Sequence, residues 1–218
     1  MRDDRDGEPW DSYSDDPFDA LDREVWDEDD WEEFLTRQDV LAAKYQELFE
    51  TLLDHPKRDE IIAREMHWNL PEGVVGGGGR NGAQDGRATE DDGLSTISAY
   101  RTAQEYALAF DRSITARLRD RAVLDEDACS AMQAAIAVPA AIAGGHGIGY
   151  ERDSLCGNIA CCKRAVANLD ASLDGLLALR KRGALPPGEA DVLLRKGRDL
   201  AAAIQQRIED LRQQVWWQ

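Results

Sequence analysis

Trp31, Phe34, Leu41, Tyr45, Leu48 and Leu52 recur at steps of three and four, with polar Gln38 in the missing place. That spacing predicts one amphipathic helix starting at Trp31. Asp29 or Asp30 is expected to cap it. It should stop near Asp54, because His55 precedes Pro56 and is pushed out of the α region. Pro56 suits the first turn of a short second helix reaching about His67, with Ile61, Ile62 and Met66 on its apolar side. From Asn69 to Gly93 the periodicity fails. Gly73, Gly76 to Gly79, Gly82, Gly86 and Gly93 give this stretch the composition of a flexible linker, long enough to let the N-terminal hairpin move.

Four further helical patterns follow. Ser95 or Thr96 starts one that runs to about Arg121, with Ile97, Tyr100, Ala103, Ala107, Phe110, Ile114 and Leu118 on one side. Asp125 is the expected cap of the next, with Glu126 and Asp127 in its positive first turn. That helix is rich in alanine through Ala143, small on nearly every side, and should be a central helix; Pro139 should kink it, and the glycines from Gly144 to Gly149 should end it. Asp153 or Ser154 then caps a helix with Ile159, Cys162, Val166, Leu169, Leu173 and Leu176 as its stripe, ended by Gly183. After Pro186 and Pro187 the last helix carries Leu193, Gly197, Leu200, Ile204, Ile208, Leu211 and Val215. Two such stripes joined by a proline turn form an antiparallel αα-hairpin. No segment shows β alternation. The fold class is therefore all-α: an antiparallel bundle of four to six helices with a disordered acidic N-terminal arm (1–30), an N-terminal helical hairpin (31–68), a Gly-rich linker (69–94) and a main bundle (95–218).

Charge changes this picture most at the N-terminus. Residues 1–35 hold 16 Asp or Glu against Arg2, Arg5 and Arg23, a net of −13 out of −17 for the whole chain. Such a segment cannot offset its own ordering entropy. Yet it also carries Trp10, Tyr13, Phe18, Trp26, Trp31 and Phe34. A solubilising bristle needs no large aromatics, whereas acidic residues that steer toward a basic groove and rings that bury there make a docking segment. Trp10, Tyr13, Phe18, Trp26 and Trp31 are accordingly the candidate partner-binding residues, and the expected partner is a basic protein. The arm could instead fold over the arginines of its own bundle as a self-inhibitory cover. Net negative charge argues against a grip on nucleic acid, which needs clustered cations; Arg112, Arg117, Arg119 and Arg121 are interleaved with Asp111 and Asp120.

The apolar stretch from Met132 to Gly149 is broken by Gln133, Pro139 and His146 and falls short of the roughly 20 residues that span a bilayer. With no apolar leader at the acidic start, the expectation is a cytoplasmic protein with no membrane contact. The 21 arginines, set against 5 lysines, suit a high-GC bacterial source.

Catalytic patterns are sparse. A di-iron bundle needs Glu three residues before each ligating His; His55, His67 and His146 have Leu52, Arg64 and Ala143 there. Cys129, Cys156, Cys161 and Cys162 contain no C-x-x-C pair, so buried thiols are expected rather than a zinc site, and no metal or cofactor is implied. Gly76 to Gly82 lacks the lysine of a phosphate loop. The run from Gly144 to Glu151 remains. It joins a Gly-rich turn, a titratable histidine and the start of the Cys156 helix, where exposed N–H groups can hold an anion and lower a thiol pKa. His146, Tyr150, Glu151 and Cys156 are the tentative ligand site; a plain tight connection is the alternative. Trp216 and Trp217 either plug the bundle or anchor a homo-oligomer through the C-terminal helices. The favoured function is a non-enzymatic interaction module working through its arm, and the competing one is an enzyme or ligand-binding bundle at the His146 turn.

Overall fold

The computed structural model of the chain describes residues 25–68, 93–118 and 126–215. The candidate anchors Trp10, Tyr13 and Phe18, most of the Gly-rich stretch, the Asp125 cap, Arg119, Arg121, Trp216 and Trp217 lie outside the described residues. Within them the chain is all-α, as its periodicity predicts: α1 (Glu28–Thr51), α2 (Arg58–Glu65), α3 (Ser98–Leu118), α4 (Glu126–Ile148), α5 (Leu155–Lys181) and α6 (Pro187–Arg212), with one 3₁₀ turn at Leu94–Thr96. No strand occurs among the described residues.

Helices α3 to α6 form a closed four-helix ring in which α4 meets α3 and α5, and α6 meets α5 and α3. Short connections at 149–154 and 182–186 force sequential helices to run antiparallel. Gly183, at φ 71°, ends α5 by letting Ala184 N–H bond to the Leu179 carbonyl, and Pro187 opens α6. The core is Phe110, Ile142, Ile159, Leu169, Leu176, Leu193, Leu200 and Ile204, each almost fully buried. The stripe of α6 is thus covered within one chain. One polar pair crosses this core: Tyr106 on α3 donates to Ser172 Oγ on α5 at 2.8 Å, and Ser172 donates to the Leu169 carbonyl. Burial pushes the Tyr106 phenol up to about 12.

Three expectations are corrected. The helix at the N-terminus begins at Glu28, capped by Asp27 rather than Asp29 or Asp30. Asp27 Oδ1 accepts the Asp29 and Asp30 N–H groups at 2.8 and 2.9 Å, and Asp30 Oδ2 accepts the Asp27 N–H at 3.1 Å. Reciprocal capping with acids in the first turn is the stronger start signal. Second, Gly144 to Gly147 do not end α4; the helix continues through His146 to Ile148, and Gly149, at φ 120°, breaks it. Third, the central helix is α5. Leu155 to Cys162 are buried without interruption, whereas α4 buries one face and leaves Ile136 half exposed. By length and composition α4 could cross a membrane, the one such helix among the described residues; Ala128, Ala131, Ala135, Val138, Ile142 and Gly145 account for its apolar character by packing inside the bundle.

The outer hairpin is thinner. Ile62, Ala63 and Met66 of the α2 region are buried, but α1 has no buried residue, and Leu41 and Tyr45 remain exposed. Tyr45 stacks with Trp68 and Phe49, Arg58 lies over the Phe49 ring at 4.6 Å, and Lys44 Nζ donates to the Glu65 carbonyl at 2.7 Å.

A Cβ on Gly145 would fall 2.9 Å from Asn158 Oδ1 and from Cys161 Cβ, whereas one on Gly144 would meet nothing within 4 Å. Gly145→Ala is therefore expected to lower unfolding free energy by about 1–3 kcal/mol through overpacking. Gly144→Ala should raise it by up to about 1 kcal/mol through helix propensity. Urea denaturation of the two variants side by side checks the contrast.

Candidate functional site

Two places in the fold concentrate chemistry. The first is where α1 meets the bundle. Glycine at 157 leaves a notch on α5, and the Trp31 indole fills it so closely that a Cβ there would lie 2.6 Å from the ring. Trp26 and Phe34 pack edge-on around Trp31 at centroid distances of 5.2 and 5.8 Å. Trp31 Nε1 is buried without a hydrogen-bond partner among the described residues, so shape and area, not polar recognition, hold the indole. Charge frames this contact. Glu28 receives two hydrogen bonds from Arg212 of α6, at 2.9 and 2.8 Å, and pairs with Lys163 of α5. Arg164 donates to both oxygens of Glu32 at 3.0 and 3.1 Å, to Asp39 at 2.6 Å and to Thr36 Oγ1 at 3.0 Å. The acidic face of α1 thus lies on a cationic ridge of its own bundle. Arg212, and after it Lys163, hold the Glu28 carboxyl below its ordinary 4.5 although burial works against them.

Of the candidate anchors, Trp31 is therefore placed against α5 of the same chain, with Trp26 packed on its ring. Sequence reading left Trp26 in a disordered arm and began the helix only at Trp31, because the capping box at Asp27 lies inside the acidic run. The partners Gly157, Lys163, Arg164 and Arg212 were missed; three cations on the outer faces of α5 and α6 are ordinary for solvated helices, and only a glycine in the first turn of α5 was a usable signal.

The second place is the α4–α5 junction. His146 Nδ1 lies 2.7 Å from the Tyr150 hydroxyl. That hydroxyl accepts from Arg207 Nη2 of α6 at 3.0 Å, and the imidazole tautomer sets which of His146 and Tyr150 donates to the other. The same Nη2 reaches Asn158 Oδ1 at 3.3 Å, and Asn158 Nδ2 donates to the Gly149 carbonyl at 3.0 Å. Asn158 is fully buried, one turn into α5, and locks the broken end of α4 onto its neighbour. Glu151 is exposed and works through its backbone carbonyl, which accepts Ser154 Oγ and the Leu155 N–H as α5 begins. Cys156 is 1% exposed and Cys162 fully buried. Burial raises the Cys161 thiol to about 11 and lifts Cys162 as well, the latter held back by the Arg207 guanidinium. Of the four tentative ligand residues, the fold joins His146 and Tyr150 in one chain of hydrogen bonds and adds Arg207 and Asn158. Arg207 was missed because it sits beside the α6 stripe, where a long cation normally snorkels to water.

No three His, Cys, Asp or Glu side chains among the described residues come together as a metal site. No family model, curated protein or solved structure matches the chain. Geometry alone carries the functional argument.

Two outcomes follow. Because the folded Glu28 pKa lies below its unfolded value, the α1 clasp contributes its full stability above that unfolded value and loses it as pH falls through the folded one. Hydrogen exchange of the α1 amides should accelerate below about pH 4.5 while core α5 amides stay protected. Among the thiols, half-buried Cys129 should react with an aromatic disulfide reagent at pH 8 at least tenfold faster than Cys156, Cys161 or Cys162.

Proposed function

We propose that this chain is a non-catalytic protein–protein interaction module whose acidic-aromatic N-terminal segment recognises basic helical surfaces. One observation carries the reading: α1 lays Glu28, Glu32, Asp39 and Trp31 on Lys163, Arg164, Arg212 and the Gly157 notch of its own bundle. The segment's chemistry is matched there to a cationic ridge with a slot for one indole. Trp26 and Trp31 then act as the root of the arm on α5, and Trp10, Tyr13 and Phe18 are the residues left to engage a basic partner. Most of these ion pairs are at least partly exposed, worth about 0–1 kcal/mol each and screened by salt. Contacts of that strength suit exchange between the chain's own ridge and an external one. A cytoplasmic location with no membrane contact fits this use.

The test compares the full chain with one lacking residues 1–24 and with a Trp10→Ala, Tyr13→Ala, Phe18→Ala variant in affinity capture from cell extract. A basic protein is expected with the full chain only, at least tenfold depleted by the triple variant and released near half-molar salt. Equal recovery from all three chains would sink the reading.

A further inference from the structure

Arg207 is out of electrostatic balance. Its guanidinium is half-buried between α6 and the α4–α5 junction, and no carboxylate among the described residues forms an ion pair with it. Its hydrogen-bond acceptors, the Tyr150 hydroxyl and Asn158 Oδ1, are both neutral, and its Nε is buried with no partner among the described residues. A partly desolvated cation is ordinarily matched by an anion. Here the protein matches it with a phenol, an amide and a thiol.

Beside this guanidinium lies a cleft of about 260 Å³ between the start of α3 and the end of α6. Tyr150 and Arg207 form one part of its wall, and Ile97, Ala203 and Leu211 add apolar surface. Asp210 lines it as well, one turn beyond Arg207 on the same helix. Residues three apart on a helix hold their Cβ atoms about 5–6 Å from each other. The cleft therefore presents a cation and an anion side by side, unpaired with each other. Asp210 accepts a hydrogen bond from Gln206 Nε2 at 2.8 Å, a neutral donor that leaves the carboxylate charge uncompensated.

We propose that this cleft binds a small zwitterion of the α-amino-acid type. The ligand carboxylate would meet Arg207 and the Tyr150 hydroxyl, its ammonium would meet Asp210, and a short apolar side chain would cover Ile97 and Leu211. A simple anion is the poorer fit, because Asp210 would repel it; a simple amine fails for the opposite reason at Arg207. His146, hydrogen-bonded to Tyr150, is a positioning residue that holds the phenol where it can turn toward the carboxylate.

This inference is independent of the arm, since the hydrogen bonds of Arg207, Tyr150 and Asp210 described above involve no residue of α1. Titration calorimetry and thermal shift on the full chain use three probes: leucine, N-acetyl-leucine, which lacks the ammonium, and leucinamide, which lacks the carboxylate. Leucine is expected to bind one per chain and raise the melting temperature, with both capped analogues at least tenfold weaker. Arg207→Gln and Asp210→Asn should each abolish the leucine response. Because Arg207→Gln disturbs the Asn158 network, its own melting curve is recorded, and exposed Asp210→Asn serves as the variant that leaves the fold intact. No saturable response to leucine, an equal response to all three probes, or undiminished binding by Asp210→Asn would each overturn the proposal.

Discussion

The structure depends on the first two turns of α5 being enclosed on every side. Eight consecutive residues, Leu155 to Cys162, are buried, which no amphipathic helix achieves with one neighbour. Helices α4 and α6, together with the root of α1, all reach this segment, so the enclosed side chains must be small wherever two backbones approach. Gly157 is that solution toward Trp31, and Gly145 is the matching solution on α4 toward Asn158 and Cys161. Ala160, Cys161 and Cys162 complete a narrow girth. A thiol in this setting is a small hydrophobe, and the raised pKa values of Cys161 and Cys162 are the electrostatic face of the same enclosure. The enclosure also explains Asn158. A polar side chain at its centre is tolerated only when its hydrogen-bonding groups are used, and Asn158 divides them between the Gly149 carbonyl and the Arg207 guanidinium.

Much of this was legible in the chain. The stripes of α3, α5 and α6, the proline turn before α6 and the Gly183 stop all follow from local spacing and end chemistry, and they fix helices where those rules act within a few residues. Local rules failed where the deciding neighbour is distant in sequence. Four glycines between residues 144 and 149 read as a turn because propensity counts them against a helix. One of them, Gly145, is instead required for contact with Asn158, and such contact lies beyond any local window. The alanines of α4 suggested enclosure on all sides, but smallness permits close approach without demanding it. Asp27 was overlooked because four consecutive acids offer several equivalent caps, and only Asp27 has Asp30 placed to return the bond. For the candidate sites, His146 and Tyr150 were accessible as an i, i+4 pair, whereas Arg207 enters through packing of α6 and leaves no mark of its function in the sequence.

Two electrostatic regimes coexist within one turn or two of each other on α5, and their difference decides which part of the molecule can exchange partners. The α1 contacts are ion pairs with Lys163, Arg164 and Arg212 at the surface, where solvent and salt reduce each to a fraction of the bare attraction. What orders them is one indole in one notch, the Trp31 ring against Gly157. Arg207 is also partly buried, but it is held by neutral groups that belong to the core itself. Removing it would leave the buried Asn158 oxygen with only the weak Cys162 thiol as a donor, a loss of about 1–3 kcal/mol before any ligand is considered. The arm therefore has the energetics of a reversible contact, and the Arg207 cleft those of a preformed one. A ligand at the cleft would meet groups already positioned by the fold, while a basic partner would first have to compete with the ridge for the carboxylates of α1.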